Sequence, residues 1–223
     1  EILDDEVRKS LCPDKINTSQ WLEVMKTAHQ VGFKTTATIM YGHVETPIHW
    51  ANHLTEVRNL QLQTGGFTEF VPLPYVPMEA PMYLKGKSRR GPSFREAILM
   101  HSVSRIAFKG LINNIQTSWV KMGQEGVQAC LNAGANDIGG TLMNESITRA
   151  AGADHGQEWH PQGIEETIIS MGRIPKMRTT SYDEAPQSRR ELAFRASTLK
   201  QVENTAAAKL QRSKKLDNIA QAL

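Results

Sequence analysis

The sequence predicts an α/β fold: about four βα units, half of a TIM-type barrel, followed by a helical tail. Three observations carry this. Short β-branched apolar runs alternate with stretches of helical periodicity, the grammar of a parallel sheet with crossover helices. Polar or glycine-bearing segments (YGHVE, VPLP, TSWVKMG, GGT) follow the C-terminal end of each run, where a βα-barrel keeps its chemistry. The number of units is four, whereas closure needs about eight strands and about 250 residues. Four open strands expose an edge and half a core, so the body reads as half a fold.

The first helix is expected over Thr18–Gln30, with Asn17, Thr18 or Ser19 as N-cap and Gly32 as the stop. Trp21, Leu22, Met25 and Ala28 lie on one face of it. Strand one is Lys34–Tyr41, KTTATIMY. A helix over Pro47–Gln63 follows, its stripe traced by Trp50, Leu54, Val57 and Leu60 or Gln61, and Gly65-Gly66 end it. Strand two, Phe67–Val71, enters a stretch from Pro72 to Pro92 that holds five of the ten prolines and reads as a long functional loop.

Ser93 caps the next helix, to Phe108, with Ile98, His101, Arg105 and Ile106 on successive turns. Strand three is Leu111–Thr117, then a helix over Val120–Leu131, then strand four, Asn136–Ile138. Short helices near Asn144–Ala151 and Glu165–Met171 precede an irregular stretch to Pro186. Beyond it Leu192, Ala196, Leu199, Val202, Ala206 and Leu210 predict one long amphipathic helix. The domain reading is a body over 1–182 and a polar, basic tail over 183–223.

Charge follows that division. The chain of 223 residues has a net charge of +3. Residues 187–223 hold eight Lys/Arg against three Asp/Glu, a balance of +5 that leaves −2 for the rest. Basicity therefore belongs to the tail, and the body offers no nucleic-acid footprint. No apolar run approaches the roughly 18 residues of a membrane span, and no signal peptide is visible. The expected location is the cytoplasm, with Cys12 and Cys130 as two separate reduced thiols.

Candidate site residues stand at strand ends and on interior strand positions. Gly42 lets a ligand approach the backbone, and Glu45 offers an acceptor at the mouth of strand one, or is held there by the next helix dipole. Glu69, in GFTEFVP, either points into a polar lumen or is salt-bridged within the sheet. Gln116, with Asn113 and Asn114, and Asn136 with Asp137 pose the same question, and together suggest a polar small-molecule site. His49 and His53, four apart on a helix, read as a stacked or exposed pair rather than a metal site. Gly139-Gly140-Thr141 is a tight turn or an anion-binding loop. There is no nucleophile elbow, P-loop or dinucleotide fingerprint.

The runs WLEVMKTAHQVGFKTTATIMYGHVE, HWANHLTEVRNLQLQTGGFTEFVPLPY, NIQTSWVKMG and GANDIGGTLMNESITRAAGADHGQE resemble the tyrosine-using half of the FO synthase family, radical S-adenosylmethionine (SAM) enzymes that make the deazaflavin chromophore. The resemblance covers Glu1 to about Tyr182 and stops before the tail. It implies a radical reaction joining the 4-hydroxybenzyl part of L-tyrosine to 5-amino-6-(D-ribitylamino)uracil, with SAM and a 4Fe-4S cluster as cofactors and a ring-closing half, fused or separate, as partner. By the same resemblance Gly42 and Glu45 line SAM, at the last two marked positions of the superfamily's G-x-I-x-G-x-x-E stretch. Glu69, Gln116, Asn136 and Asp137 are expected around tyrosine and uracil from their strand positions. The C-x-x-x-C-x-x-C cluster loop is missing, so no metal ligands are assigned and the chain as given is expected to be inactive, a C-terminal part of a longer enzyme. Two other readings stay open: a non-catalytic half-barrel scaffold, and a menaquinone-pathway radical SAM enzyme.

Overall fold

The computed structural model describes residues 2–142 and 145–200. A short helix, α1 (Asp5–Leu11), opens the chain, its first turn capped by the Asp4 carboxylate on the Val7 N–H. In α2 (Thr18–Gln30) the cap is Asn17: its side chain accepts from Gln20 N at 2.9 Å, and the Gln20 side chain accepts from Asn17 N at 3.0 Å. Then follow β1 (Thr35–Tyr41), α3 (Pro47–Thr64), β2 (Phe67–Pro74), the one-turn α4 (Pro81–Leu84) and α5 (Phe94–Ala107). The series closes with β3 (Asn114–Ile115), α6 (Trp119–Asn132), α7 (Ile147–Ala150), α8 (Pro161–Ser170) and α9 (Gln187–Arg195).

The sheet is parallel, in the order β1-β2-β3. Ala37, Ile39 and Tyr41 turn to the helices and are fully buried, and α3 meets them with Trp50, Leu54, Val57 and Leu60. Gly65 ends α3 in the left-handed region at φ 61°. A second core gathers Trp119, Val127, Cys130, Leu131 and Ile138, with Ile164 and Ile168 of α8 packed on it.

Several elements differ from expectation, each for a local reason. Strand three shrinks to two residues because Leu111 and Ile112 N–H donate back to Phe108 O, finishing the turn after α5. Strand four is one parallel bridge, Gln116–Asp137, flanked by ladder bonds from Asn136 N to Ile115 O and Thr117 N to Asp137 O. Strand two instead runs three residues longer, to Pro74. Phe70 O accepts on the β3 side and Tyr75 N donates on the β1 side, so alternation turns the donorless nitrogens of Pro72 and Pro74 to the β3 side beyond the end of that strand, where both residues are buried.

The buried face of α5 is Ala97, Met100, His101 and Ser104, while Ile106 is 75% exposed. In α6 the backbone breaks at Gly123 (φ 66°, ψ 176°), where a Cβ would lie 2.8 Å from the His155 ring. Of the helix expected near Asn144–Ala151, only Ile147–Ala150 is helical, and Asn144 lies outside the described residues. The tail helix stops at Arg195. Its successor Ala196 is extended, and Ala196 O and Leu199 N bond His160 and Glu158 at 3.1 and 2.9 Å. The remaining tail positions, Val202, Ala206 and Leu210, lie outside the described residues. No described helix is long and apolar enough to cross a membrane.

Candidate active site

The sheet face turned away from the helices is polar at the N-terminal ends of the strands, around Thr36, Thr38 and Glu69, and gives way to Val71, Met40 and Leu73 towards their C-terminal ends. Thr36 and Glu69 are register partners on β1 and β2, and Thr36 Oγ1 donates to Glu69 Oε1 at 2.8 Å. Across β3, Gln116 Nε2 donates to Glu69 Oε2 at 3.0 Å. Arg178 enters from a hairpin after α8, closed by an antiparallel bridge from Arg178 to Glu184. Its Nε donates to Asp137 Oδ2 and its Nη2 reaches Glu69 Oε2 at 3.4 Å. Tyr182 of the same hairpin donates its hydroxyl to Glu69 Oε2. Two carboxylates from different strands thus share one guanidinium, which offsets the cost of holding them together. Beside them opens a cleft of about 880 Å³, lined by Asp137, Gly139, Thr141, Arg178 and Tyr182 among others.

The structure brings Glu69, Gln116 and Asp137 together. Asn136 lines the same cleft but its side-chain oxygen is engaged apart from that cluster: Oδ1 accepts from Arg105 Nη2 at 2.6 Å and from Ile115 N at 2.9 Å, tying α5 to the sheet. Gly139 and Gly140 form a tight turn, with Gly139 N on Asp137 Oδ1 at 2.7 Å and Gly140 O on Trp119 Nε1 at 2.8 Å. A Cβ at Gly139 would meet Gln116 Oε1 at 2.7 Å, so the glycine gives the Gln116 side chain its room.

Glu45 is buried at the mouth of β1. Its Oε1 accepts from Gly42 N and from Trp50 Nε1 at 3.0 Å; its Oε2 accepts from His43 N at 2.9 Å, with His43 Nδ1 2.7 Å away. Burial alone would raise its pKa, but the His43 ring and the Gly42 and His43 N–H groups outweigh it and hold Glu45 well below the usual carboxylate range. Both oxygens are engaged within the chain. Gly42, at φ 96°, lies where a Cβ would strike Pro92 N at 2.3 Å. His49 caps α3 by accepting from Thr46 N at 3.0 Å, and His53 is wholly buried, its Nδ1 accepting from Leu3 N at 3.0 Å.

Arg178 and Tyr182 were not among the expected site residues. Their only signal was an arginine and an aromatic in a polar, proline-bounded stretch. Among the described residues no three His, Cys, Asp or Glu side chains come together as a metal site. Cys12 follows α1, and Cys130 is buried on α6. A 4Fe-4S cluster therefore does not fit the residues of this chain.

A family model described as the C-terminal region of CofH/MqnC matches residues 64–192. The chain is 52% identical over 182 residues to a protein of Methanocaldococcus jannaschii named 5-amino-6-(D-ribitylamino)uracil--L-tyrosine 4-hydroxyphenyl transferase, covering 82% of this chain and 51% of that one. The namesake protein of Methanothermobacter thermautotrophicus is 48% identical over 184 residues, 82% of this chain and 50% of that one. This chain is also 50% identical over 182 residues to the FO synthase of Mycobacterium leprae, 82% of this chain and 21% of that protein. The chain spans about half the length of the transferases it matches.

Proposed function

Because the chain belongs to the CofH/MqnC C-terminal family, we propose that it is one half of a radical SAM barrel coupling L-tyrosine to 5-amino-6-(D-ribitylamino)uracil in deazaflavin biosynthesis. The observation that carries the reading is the polar sheet face around Glu69, Gln116 and Asp137, in a chain about half identical to proteins named for that transfer. On this reading the three-stranded parallel sheet is part of a TIM-type barrel whose lumen is that face, and the body ends near residue 182, where the tail begins.

Each residue then has a proposed part. Glu69 accepts a hydrogen bond from a substrate hydroxyl, and Gln116 fixes its carboxylate. Asp137 anchors Arg178, and Asn136 acts at one remove by holding the strand register. Bound SAM would supply a 5′-deoxyadenosyl group. Since the Glu45 oxygens are both engaged, Gly42 and Glu45 would serve it through the shape of their turn rather than by side-chain contact. The 4Fe-4S cluster is assigned to residues supplied from outside this chain, as is the ring-closing partner half. The expected place of reaction is the cytoplasm.

The test is expression of the full coding sequence that contains this chain, followed by incubation under reducing conditions with SAM, L-tyrosine and the diaminouracil. Mass spectrometry should show a tyrosine-dependent coupled product that is lost in the E69Q variant. Turnover indifferent to tyrosine would overturn the reading.

A further inference from the structure

Tyr182 is held in an uncommon state. It stands on no strand or helix, and its backbone lies at φ 68°, which a bulky L residue adopts only where its surroundings impose it. Those surroundings are specific. The hydroxyl donates to Glu69 Oε2, and the Arg178 guanidinium stacks 4.0 Å from the ring centroid. Burial first, and the Glu69 hydrogen bond second, push the Tyr182 pKa far above its ordinary value, so the group on Glu69 is a neutral phenol donor. Arg178 is also bound to Asp137, and Glu69 to Thr36 and Gln116, so both contacts to the phenol stay in place without Tyr182.

We propose that Glu69 and Arg178 form a phenol-binding site on the open face of the sheet, and that Tyr182 is its resident occupant, displaced when a free 4-hydroxyphenyl group arrives. The carboxylate takes the hydroxyl and the guanidinium covers the ring. The strained hairpin is the part that yields, since leaving relaxes the Tyr182 backbone. This rests on the tyrosine-coupling reading and deepens it by naming the part of the substrate that Glu69 takes.

The experiment titrates p-cresol into the chain and its Y182F and E69Q variants by calorimetry. Hydrogen exchange is followed at the Thr179, Tyr182 and Ala185 amides, which bond within the hairpin to Asp183 O, Thr179 O and Met177 O. The expected results are faster exchange at these amides on p-cresol binding, about tenfold tighter binding by Y182F, whose ring no longer competes through a charge-assisted hydrogen bond, and loss of binding in E69Q. Y182F binding p-cresol no better than the parent, or hairpin amides indifferent to saturating p-cresol, overturns the proposal. An enzyme containing this chain that ignores tyrosine, while Y182F still tightens p-cresol binding, sinks the coupling reading alone. One that couples tyrosine, with an unchanged KM for tyrosine in Y182F, sinks the phenol site alone.

Discussion

The imidazole of His29 fills the space in front of Gly66: a Cβ built on that glycine would lie 2.0 Å from His29 Cγ. The ring cannot step aside. Its Nδ1 is 2.6 Å from Thr64 Oγ1, its Nε2 is 2.7 Å from Thr35 Oγ1, and it stands edge-on to Phe67 at 4.7 Å. One histidine of α2 thus fastens β1, α3 and β2. Gly66→Ala should cost about 2 kcal/mol or more through overpacking. Gly65→Ala, next door, meets nothing within 4 Å and should cost about 1 kcal/mol, the strain of a left-handed alanine. Urea midpoints of the two variants check the order; equal shifts would refute the packing account.

Glu45→Gln should destabilise the chain by about 2 kcal/mol at neutral pH, since an amide cannot accept from all the N–H donors around the carboxylate. The sign with pH follows from the lowered pKa. Glu45 contributes fully above the ordinary carboxylate value of about 4.3, and its contribution fades as the solution is acidified below that. The gap between parent and variant should therefore close towards low pH in denaturant titrations. A gap that widens would show that the carboxylate is not the stabilising form.

His53 is pushed down to about 3 by burial. Unfolding lets it take a proton at its ordinary value of about 6.5, so stability should fall as pH drops from about 6.5 towards about 3. His53→Asn keeps an acceptor for Leu3 N and removes the titration. Its stability should be flatter across that window, by up to about 1.4 kcal/mol per pH unit. Acid should also loosen the Leu3 amide first, which hydrogen exchange can read.

The two thiols should separate cleanly. Burial pushes Cys130 up to about 11, and it is wholly inaccessible, whereas Cys12 is half-buried at the end of α1. Ellman's reagent at pH 8 should modify one thiol quickly in the folded chain and both in denaturant. Two rapid equivalents under native conditions would mean that the α6 core opens readily.

Much of the framework was legible. Helix α3 could be placed because Pro47 starts it, Gly65 stops it, and its apolar residues fall on one stripe. Helix α5 could be placed too, with Ser93 as its cap and His101 on its buried face, but its stripe misled at Ile106 because apolar side chains surround the helix. Leu99, Val103 and Ile106 face outward, while His101 and Ser104 go inside by bonding Ala97 O and Met100 O one turn back, at 2.8 and 2.7 Å. The cluster of Glu69, Gln116 and Asp137 could be anticipated from strand alternation. Arg178 and Tyr182 could not, because they meet Glu69 from 109 and 113 residues away on a hairpin with a single bridge. No periodicity reports a contact of that kind.

The two prolines in β2 have a consequence for what any other residue at either position would bring. Above Phe70, β3 no longer accompanies that side of β2, yet Pro72 and Pro74 are both buried there, out of reach of an incoming peptide. Any other residue would bring an amide donor into that covered spot, with no β3 carbonyl to meet it. Proline brings none, so β2 can outrun β3 without burying an orphaned N–H.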